Sequence, residues 1–122
     1  MGSATTALII EDDDDIRRLL EMVLTQMGFQ VDSVSEGGEG LRLAEHTDYS
    51  LLSVDVGLPD MDGHQLVRRV RDSFSGKIVM ISARASAADE AAGRDAGTDA
   101  YITKPFRPRE LRASLTELLT EG

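Results

Sequence analysis

The sequence of 122 residues contains no cysteine. That absence excludes disulfide bonds, thiolate zinc sites and thiol catalysis, and it suits a reducing compartment. Apolar runs are only a few residues long, so no segment is predicted to span a membrane. The N-terminus also lacks a charged region followed by an apolar stretch, which is the pattern of a secretory signal. We therefore expect a cytoplasmic protein with no membrane contact.

Positive charge is scarce. There are 13 Lys and Arg residues against 22 Asp and Glu, which gives a net charge of −9. An acidic surface is repelled by phosphate backbones, so we expect no direct nucleic-acid binding by these residues. The length and the 41% hydrophobic content fit one domain with one core.

Short apolar runs alternate with segments of helical periodicity. Strands are predicted at 7–10, 29–34, 49–55, 77–82 and 100–103. Helices follow them, the first with an apolar stripe over 16–27 and a C-terminal Gly28, the others over 36–46, 63–73, 85–97 and 107–119. Such alternation predicts an α/β fold, a doubly wound parallel sheet covered on both faces. Residues 6–120 are expected to form the domain, and residues 1–5 a flexible N-terminus or a cloning remnant.

Polar residues stand where the predicted strands end. Glu11 and Asp12 follow the first strand, Asp55 closes the third, Ser82 closes the fourth and Lys104 follows the fifth. Parallel strands end on one edge, where ligands of doubly wound sheets bind, so these side chains are expected to converge. Clustered carboxylates oppose one another's ionisation, and a hard cation such as Mg²⁺ relieves that repulsion. The next acids, 13–15, favour the first turn of a helix, and one is expected to cap it.

The segments "IIEDD", "LLSVDVGLPDMDG", "IVMISAR" and "DAYITKPF" resemble, in order and spacing, the receiver domain of two-component response regulators. The likeness covers about residues 6–120. It implies a flavodoxin-like (βα)5 domain with strand order 2-1-3-4-5. It also implies a signalling phosphoacceptor rather than an enzyme, with only self-directed phosphotransfer and autodephosphorylation.

The resemblance assigns roles to individual residues. Asp55 would accept a phosphoryl group from a histidine kinase or a histidine phosphotransfer protein, with Lys104 and Ser82 contacting the phosphoryl oxygens. The metal ligands would be Asp12, Asp55 and the backbone carbonyl of Gly57, with Glu11 contacting the ion through water. Ser82 and Tyr101 would form the switch, Ala83 would leave room for Tyr101, and the bond before Pro105 would be cis.

Readout is expected at the surface of the fourth helix, fifth strand and fifth helix, which would contact an output domain or downstream protein. The alanine-rich helix 85–97 has few large anchors, which suits easy rearrangement. The stretch "KPFRPRELRASL" is similar to receivers attached to winged-helix DNA-binding domains, which implies homodimerisation on phosphorylation through a face that includes Asp99 and Arg112.

This sequence departs from the family pattern at Glu11, where Asp is usual, at Ser82, where Thr is commoner, and at Gly57 beside the acceptor. Gly57 has no side chain where one usually overhangs the pocket, and Arg84 is expected to cover the pocket partly instead. We predict that Gly57 and Arg84 tune the lifetime of the phosphorylated form.

Two other functions compete with this interpretation. A Mg²⁺-dependent aspartyl phosphatase would also place acids at strand ends, but it needs a second Asp two residues after the nucleophile, where Gly57 stands. A degenerate receiver would act as a phosphorylation-independent interaction module, although such domains typically lose one of the acidic or lysine residues present here.

Several residues are assigned structural roles only. His46 and His64 are predicted to lie on the surface, and Asp62 to cap the third helix. The core is predicted to include Met22, Met27 and Met80. A solvated basic face is predicted for Arg68, Arg69 and Arg71.

Overall fold

A computed structural model describes residues 5–84 and 86–120 of the chain. Five strands alternate with five helices. The strands are β1 (Thr6–Ile10), β2 (Gln30–Val34), β3 (Leu51–Asp55), β4 (Lys77–Ser82) and β5 (Ala100–Thr103). The helices are α1 (Asp14–Gln26), α2 (Gly37–His46), α3 (Gly63–Arg71), α4 (Ala87–Ala96) and α5 (Pro108–Thr120).

The strands form one parallel sheet in the order β2-β1-β3-β4-β5. The α/β class, the parallel sheet and this strand order were all predicted, and the structure confirms them. Register brings the strand ends together, because Ile10 pairs with Val54, Asp55 with Ile81, and Ser82 with Thr103. The segments that follow β1, β3, β4 and β5 therefore meet at one edge.

Each face of the sheet has its own hydrophobic cluster. Along β1, Leu8 and Ile10 point to one face, while Ala7 and Ile9 point to the other. The first face is covered by α2, α3 and the end of α4, and the second by α1 and α5. Period-two alternation between two covered faces explains why apolar runs in the central strands are buried throughout.

The helix ends follow the chemistry that the sequence indicates. Oδ1 of Asp13 accepts hydrogen bonds from the amides of Asp15 (2.9 Å) and Ile16 (3.0 Å), so Asp13 is the predicted cap of α1. Oδ1 of Asp62 likewise accepts from the amide of His64 at 2.7 Å, at the start of α3. Gly28 follows α1 with φ of 99°, a left-handed conformation that glycine adopts without a steric penalty.

Some sequence-based expectations are wrong. Met22 is 45% exposed on α1 rather than part of the core. Arg71 is not on a solvated face, because its guanidinium donates to the carbonyls of Gly97, Phe74 and Gly76 at 2.6–3.0 Å. The helix predicted over 85–97 covers Ala87–Ala96, with Ser86 as its N-cap, and its predicted first residue lies outside the described residues.

The predicted N-terminal segment 1–5 also falls outside the described residues, apart from Thr5. The carbonyl of Thr5 accepts a hydrogen bond from Gln30 N at 2.8 Å, which extends the contact between β1 and β2. Across residues 5–84 and 86–120, no helix has the length and apolar character needed to cross a bilayer.

Candidate functional site

Three carboxylates meet at the carboxyl edge of the sheet. Glu11 and Asp12 follow β1, Asp55 ends β3, and one oxygen from each lies within 4.8 Å of the others. Glu11 is 1% exposed and Asp55 is 6% exposed, whereas Asp12 is open to solvent. The structure therefore brings together the acids that the parallel-sheet prediction expected to converge.

The Glu11 carboxylate is buried and only partly neutralised. Its Oε2 accepts from the Asp13 amide (3.1 Å) and from Lys104 Nζ (3.3 Å). Its Oε1 lies 3.1 Å from Lys104 Nζ but has no hydrogen bond of good geometry within the described chain. Burial, reinforced by the charge of Asp55, raises the pKa of Glu11 to about 7 despite the opposing effects of the Asp13 amide and Lys104.

Lys104 is the cation of this edge. Its Nζ lies 3.4 Å from Oδ1 of Asp55 and also contacts Glu11, while the side chain is 18% exposed. Burial alone would lower the pKa of Lys104, but the two carboxylates outweigh it and raise that pKa above its usual value. Asp12 is exposed, but its partial desolvation by neighbouring groups, reinforced by Asp55, raises the pKa of Asp12. The cluster thus holds more negative charge than Lys104 balances.

The loop from Asp55 to Gly63 is tightly bound to its surroundings. Gly57 donates its amide to Asp55 Oδ1 at 3.3 Å and forms an isolated antiparallel bridge with Asp62. Gly63 starts α3 so close to β3 that a Cβ atom there would collide with the Asp55 carbonyl and come 2.9 Å from Cα of Val56. Only glycine allows this approach, which fixes the loop beside the Asp55 carboxylate.

Asp60 ties the same loop to α2. Its two carboxylate oxygens accept from the amides of Gly37 (2.7 Å) and Gly38 (2.8 Å), the first residues of α2. These hydrogen bonds lower the pKa of Asp60. Glu36, which occupies the N-cap position of α2, makes no side-chain cap of its own, so Asp60 supplies the cap from a distant loop.

On the opposite side of the site, two hydroxyl groups form hydrogen bonds with the backbone of Arg84. Oγ of the buried Ser82 accepts from the Arg84 amide at 3.0 Å. The Tyr101 hydroxyl donates to the Arg84 carbonyl at 2.9 Å. Tyr101 can lie against α4 because position 93 is glycine, where a Cβ atom would approach the tyrosine ring to 3.0 Å. Ser82, Arg84 and Tyr101 are therefore linked through one residue's backbone.

An open cavity of about 540 Å³ lies between these two loops. Asp55, Ser82 and Lys104 face it together. Its other lining residues are Val56, Gly57, Leu58, Pro59, Met61, Asp62, Ala83 and Arg84. A Cβ atom on Gly57 would have no neighbour within 4 Å, so the cavity is open where the sequence predicted an absent side chain.

The donor set suits a hard divalent cation. All three clustered side chains offer carboxylate oxygens, and Oε1 of Glu11 is a buried oxygen that lacks a hydrogen bond within the described residues. Oxygen ligands with excess negative charge are those that Mg²⁺ prefers. The Lys104–Pro105 peptide bond is cis, as the resemblance implies.

Fold and site together define a flavodoxin-like α/β domain with an acidic, lysine-containing pocket at the carboxyl edge of its sheet. The chain belongs to the response regulator receiver domain family, whose family model matches residues 7–116. It is therefore a receiver domain of a two-component system, a class that acts between a histidine kinase and a downstream output.

Relatives agree with this assignment. The transcriptional regulatory protein SrrA of Staphylococcus aureus is 38% identical over 112 residues, which are 92% of this chain but 46% of SrrA. The chain thus spans less than half the length of that relative. A CheY-like receiver domain protein from Methanospirillum hungatei is 33% identical, with a TM-score of 0.85 over 98% of this chain and 100% of that one.

A third similar protein carries a metal ion. The receiver domain of the sensor histidine kinase PA1611 from Pseudomonas aeruginosa was crystallised with a magnesium ion coordinated in its active-site cleft. It is 27% identical to this chain, with a TM-score of 0.82, and the match covers 96% of this chain and 98% of that one.

Several contacts near the site were not predicted from the sequence. His64 is only 13% exposed, with Nδ1 2.8 Å from Asp62 Oδ1, so its assignment to the surface is wrong. Asp99, expected on a dimer face, is bound within the chain, because its Oδ2 accepts from Arg71 Nη1 (3.0 Å) and Ile78 N (2.8 Å). Dimerisation through Asp99 and the exposed Arg112 stays a prediction.

Proposed function

We propose that this domain accepts a phosphoryl group on Asp55 from a histidine kinase or a histidine phosphotransfer protein in the cytoplasm. One observation carries the proposal. The Asp55 carboxylate ends β3 at the wall of an open cavity, 3.4 Å from Lys104 and within an acidic cluster that favours a cation. Phosphoryl transfer requires this combination of an in-line nucleophile and positive charge to balance the phosphoryl oxygens.

The transfer itself is a simple exchange of bonds. A carboxylate oxygen of Asp55 attacks phosphorus, the phosphorus–nitrogen bond of the donor phosphohistidine breaks, and the leaving imidazole takes up a proton. The product is an acyl phosphate. Water later cleaves it, which returns the carboxylate and releases inorganic phosphate. No external substrate is turned over, so the domain is a signalling phosphoacceptor and not an enzyme.

Residues of this chain have distinct tasks in that exchange. Lys104 pairs with Asp55 before transfer and with the phosphoryl oxygens afterwards. Asp12, Asp55 and the Gly57 carbonyl would hold Mg²⁺, with Glu11 reaching it through water. The bound ion supplies charge neutralisation of the phosphoryl oxygens. The similar PA1611 receiver domain holds a magnesium ion in its active-site cleft, which supports a Mg²⁺ site at this edge of the sheet.

The switch is proposed to start at Ser82. Its hydroxyl now accepts from the Arg84 amide, and it would turn to donate to a phosphoryl oxygen. That turn removes one of two hydroxyl contacts on the Arg84 backbone and releases Tyr101 to move, for which Ala83 leaves space. The surface of α4, β5 and α5 would then change for an output domain, a downstream protein or a second copy of the chain.

Neither competing function is favoured by a contact in the site. An aspartyl phosphatase needs a second acid where Gly57 stands, and that position is empty space. A degenerate interaction module would not need the intact set of Glu11, Asp12, Asp55 and Lys104. A Mg²⁺ titration separates a degenerate module from a working receiver, because only the working receiver needs to bind the metal.

Intact mass spectrometry tests the proposal. The protein is incubated with Mg²⁺ and acetyl phosphate, beside Asp55→Asn and the control Asp72→Asn, whose aspartate is exposed at the end of α3. We expect one phosphoryl group on the wild type and on Asp72→Asn, and none on Asp55→Asn. A phosphoryl group on Asp55→Asn, or a wild type that binds Mg²⁺ yet gains none from acetyl phosphate or from phosphohistidine donors, would contradict it.

A further inference from the structure

Arg17, on the first turn of α1, bridges two parts of the acidic loop. Its Nη1 donates to the backbone carbonyl of Glu11 at 3.1 Å, and its Nη2 donates to Asp14 Oδ1 at 2.6 Å. The Arg17 side chain is only 20% exposed. The guanidinium thus contacts the backbone next to the acidic cluster. Neither the fold nor the proposed phosphotransfer chemistry accounts for these contacts.

The neighbouring arginine provides an internal comparison. Arg18 approaches only Asp15, at 3.7 Å, and the two side chains are 72% and 94% exposed. Exposed ion pairs of this kind contribute little to the free energy of unfolding. Both arginines carry the same charge close to the acidic run, but only Arg17 contacts the backbone that leads into the site.

Besides its carbonyl, Glu11 is held through its amide and through one oxygen of its carboxylate. The Glu11 amide donates to the Val34 carbonyl at 3.0 Å, and its carboxylate is held by Lys104 and the Asp13 amide. The Glu11 carbonyl belongs to the peptide unit that joins Glu11 to Asp12. Its orientation therefore determines the direction in which the exposed Asp12 leaves the backbone.

We infer that Arg17 is a positioning residue for the metal site, because it fixes the Glu11–Asp12 peptide so that Asp12 and Asp55 can share one cation. The inference rests on the proposed Mg²⁺ site. Without the guanidinium, repulsion within the run 11–15 would move Asp12 outward. Residues that orient metal ligands from behind typically alter affinity by about 10- to 100-fold when they are replaced.

The charge of Arg17 and its ligand-orienting contacts are expected to change the Mg²⁺ affinity in opposite directions, which makes the inference testable. Removing a positive charge beside an acidic site strengthens its attraction for Mg²⁺. Removing a group that orients the ligands weakens Mg²⁺ binding. A loss of affinity on replacing Arg17 therefore cannot arise from the charge.

The experiment is a titration with MgCl2 at constant ionic strength, followed by the amide NMR signals of Asp12 and Asp13. The variants are Arg17→Met and Arg17→Lys, with Arg18→Met and Arg18→Lys as matched controls. Lysine keeps the charge, but it lacks the planar fork in which Nη1 reaches the carbonyl while Nη2 reaches Asp14. The temperature is set well below every melting midpoint, so a residue that only stabilises the fold would leave the dissociation constant unchanged.

We expect both Arg17 variants to bind Mg²⁺ about tenfold more weakly than the wild type. Both Arg18 variants should stay within about twofold of it. Arg17 variants that bind as tightly as their Arg18 counterparts would overturn the inference while leaving the proposed function intact. A wild type that does not bind Mg²⁺ would overturn both.

A second pair covers the case in which Arg17 variants do not fold. Asp14→Ala removes the carboxylate that Nη2 contacts, and Asp15→Ala removes the same charge one residue later. We expect Asp14→Ala to bind Mg²⁺ more weakly than Asp15→Ala, by part of the about tenfold effect expected for the Arg17 variants, because one of the two Arg17 hydrogen bonds is lost. Equal dissociation constants for this pair would count against a positioning role.

Discussion

The two loops that border the cavity are held in very different ways. The β3–α3 loop (56–62) is fixed by the Gly57–Asp62 bridge, the bonds from Asp60 to α2 and the close approach at Gly63. After β4, hydroxyl groups of Ser82 and Tyr101 bind the amide and the carbonyl of Arg84, and α4 buries only Gly93 and Ala96.

This difference separates two tasks within one pocket. Metal binding and nucleophilic attack need fixed geometry, which a loop bound by backbone contacts and a buried carboxylate provides. A switch needs an element whose contacts can be exchanged at little cost. Under the proposed function, the side that includes Asp55 (the fixed side) would serve the first task, and the side that includes Arg84 (the movable side) would serve the second.

The largest expected effect is on the fixed side. Gly63→Ala places a Cβ atom against the Asp55 carbonyl and Val56, so the backbone must shift, and we expect a loss of about 3 kcal/mol in the free energy of unfolding. Urea denaturation measures it. Gly57→Ala in the same loop is the control, with open space at Cβ and a change near zero. Equal losses for both variants would contradict a loop held by close approach at Gly63.

The acidic edge should make the free energy of unfolding of the metal-free protein depend on pH. Burial raises the pKa of Glu11 from 4.5 to about 7, so folded protein holds that proton when unfolded protein has lost it. The resulting stability is fully present below pH 4.5 and is lost as pH rises through 7. Urea denaturation in EDTA should therefore give a free energy of unfolding that falls across this range, and Glu11→Gln should flatten the fall. A wild-type profile that rises over the same range would refute the assignment.

Phosphoryl lifetime should depend on both sides of the cavity. Gly57→Asn adds a side chain over the acyl phosphate and should slow hydrolysis, whereas Arg84→Ala removes a covering group and should speed it. We expect about fivefold in each direction, equivalent to about 1 kcal/mol in the barrier. The decay of phosphorylated protein after donor removal measures both. Two unchanged rates would eliminate this role for the pair.

The smallest effect is expected on the movable side. Tyr101→Phe keeps the ring and loses the hydrogen bond to the Arg84 carbonyl, which should lower the free energy of unfolding by about 1 kcal/mol. Tyr49→Phe is the control. It removes a buried hydroxyl's bond to the Asp32 carboxylate (2.8 Å), and it should cost about 2 kcal/mol. A larger loss in the free energy of unfolding for Tyr101→Phe than for Tyr49→Phe would mean that the movable side is not the more weakly held one.

Sequence patterns predicted the strands, helices and topology of this molecule better than its long-range side-chain contacts. Alternating apolar runs locate the strands, and parallel topology places Glu11, Asp55 and Lys104 at one edge without further information. The Asp60 carboxylate joins amides more than 20 positions away. No periodicity signals such a contact, because it depends on how two loops pack.

The same reason explains the errors at single residues. Arg71 and Met22 were assigned from residue type alone. Arg71 is held by the carbonyls of Phe74 and Gly76 in the loop after α3, and by the Gly97 carbonyl, which becomes a neighbour only when α3 and α4 have packed. Met22 lies on the solvent side of α1, whose buried residues are Leu20, Val23 and Leu24. Helical position, and not hydrophobicity, decides burial there.

Residue-resolved amide hydrogen exchange, with and without phosphorylation of Asp55, tests most directly whether one side is fixed and the other is switched. Phosphorylation should draw the Ser82 hydroxyl away from the Arg84 amide, so that amide should exchange faster, while the Gly37 and Gly38 amides bound to Asp60 stay unchanged. Asp55→Asn treated identically should show no faster exchange at Arg84. Faster exchange at Gly37 and Gly38, with Arg84 unaffected, would contradict the account.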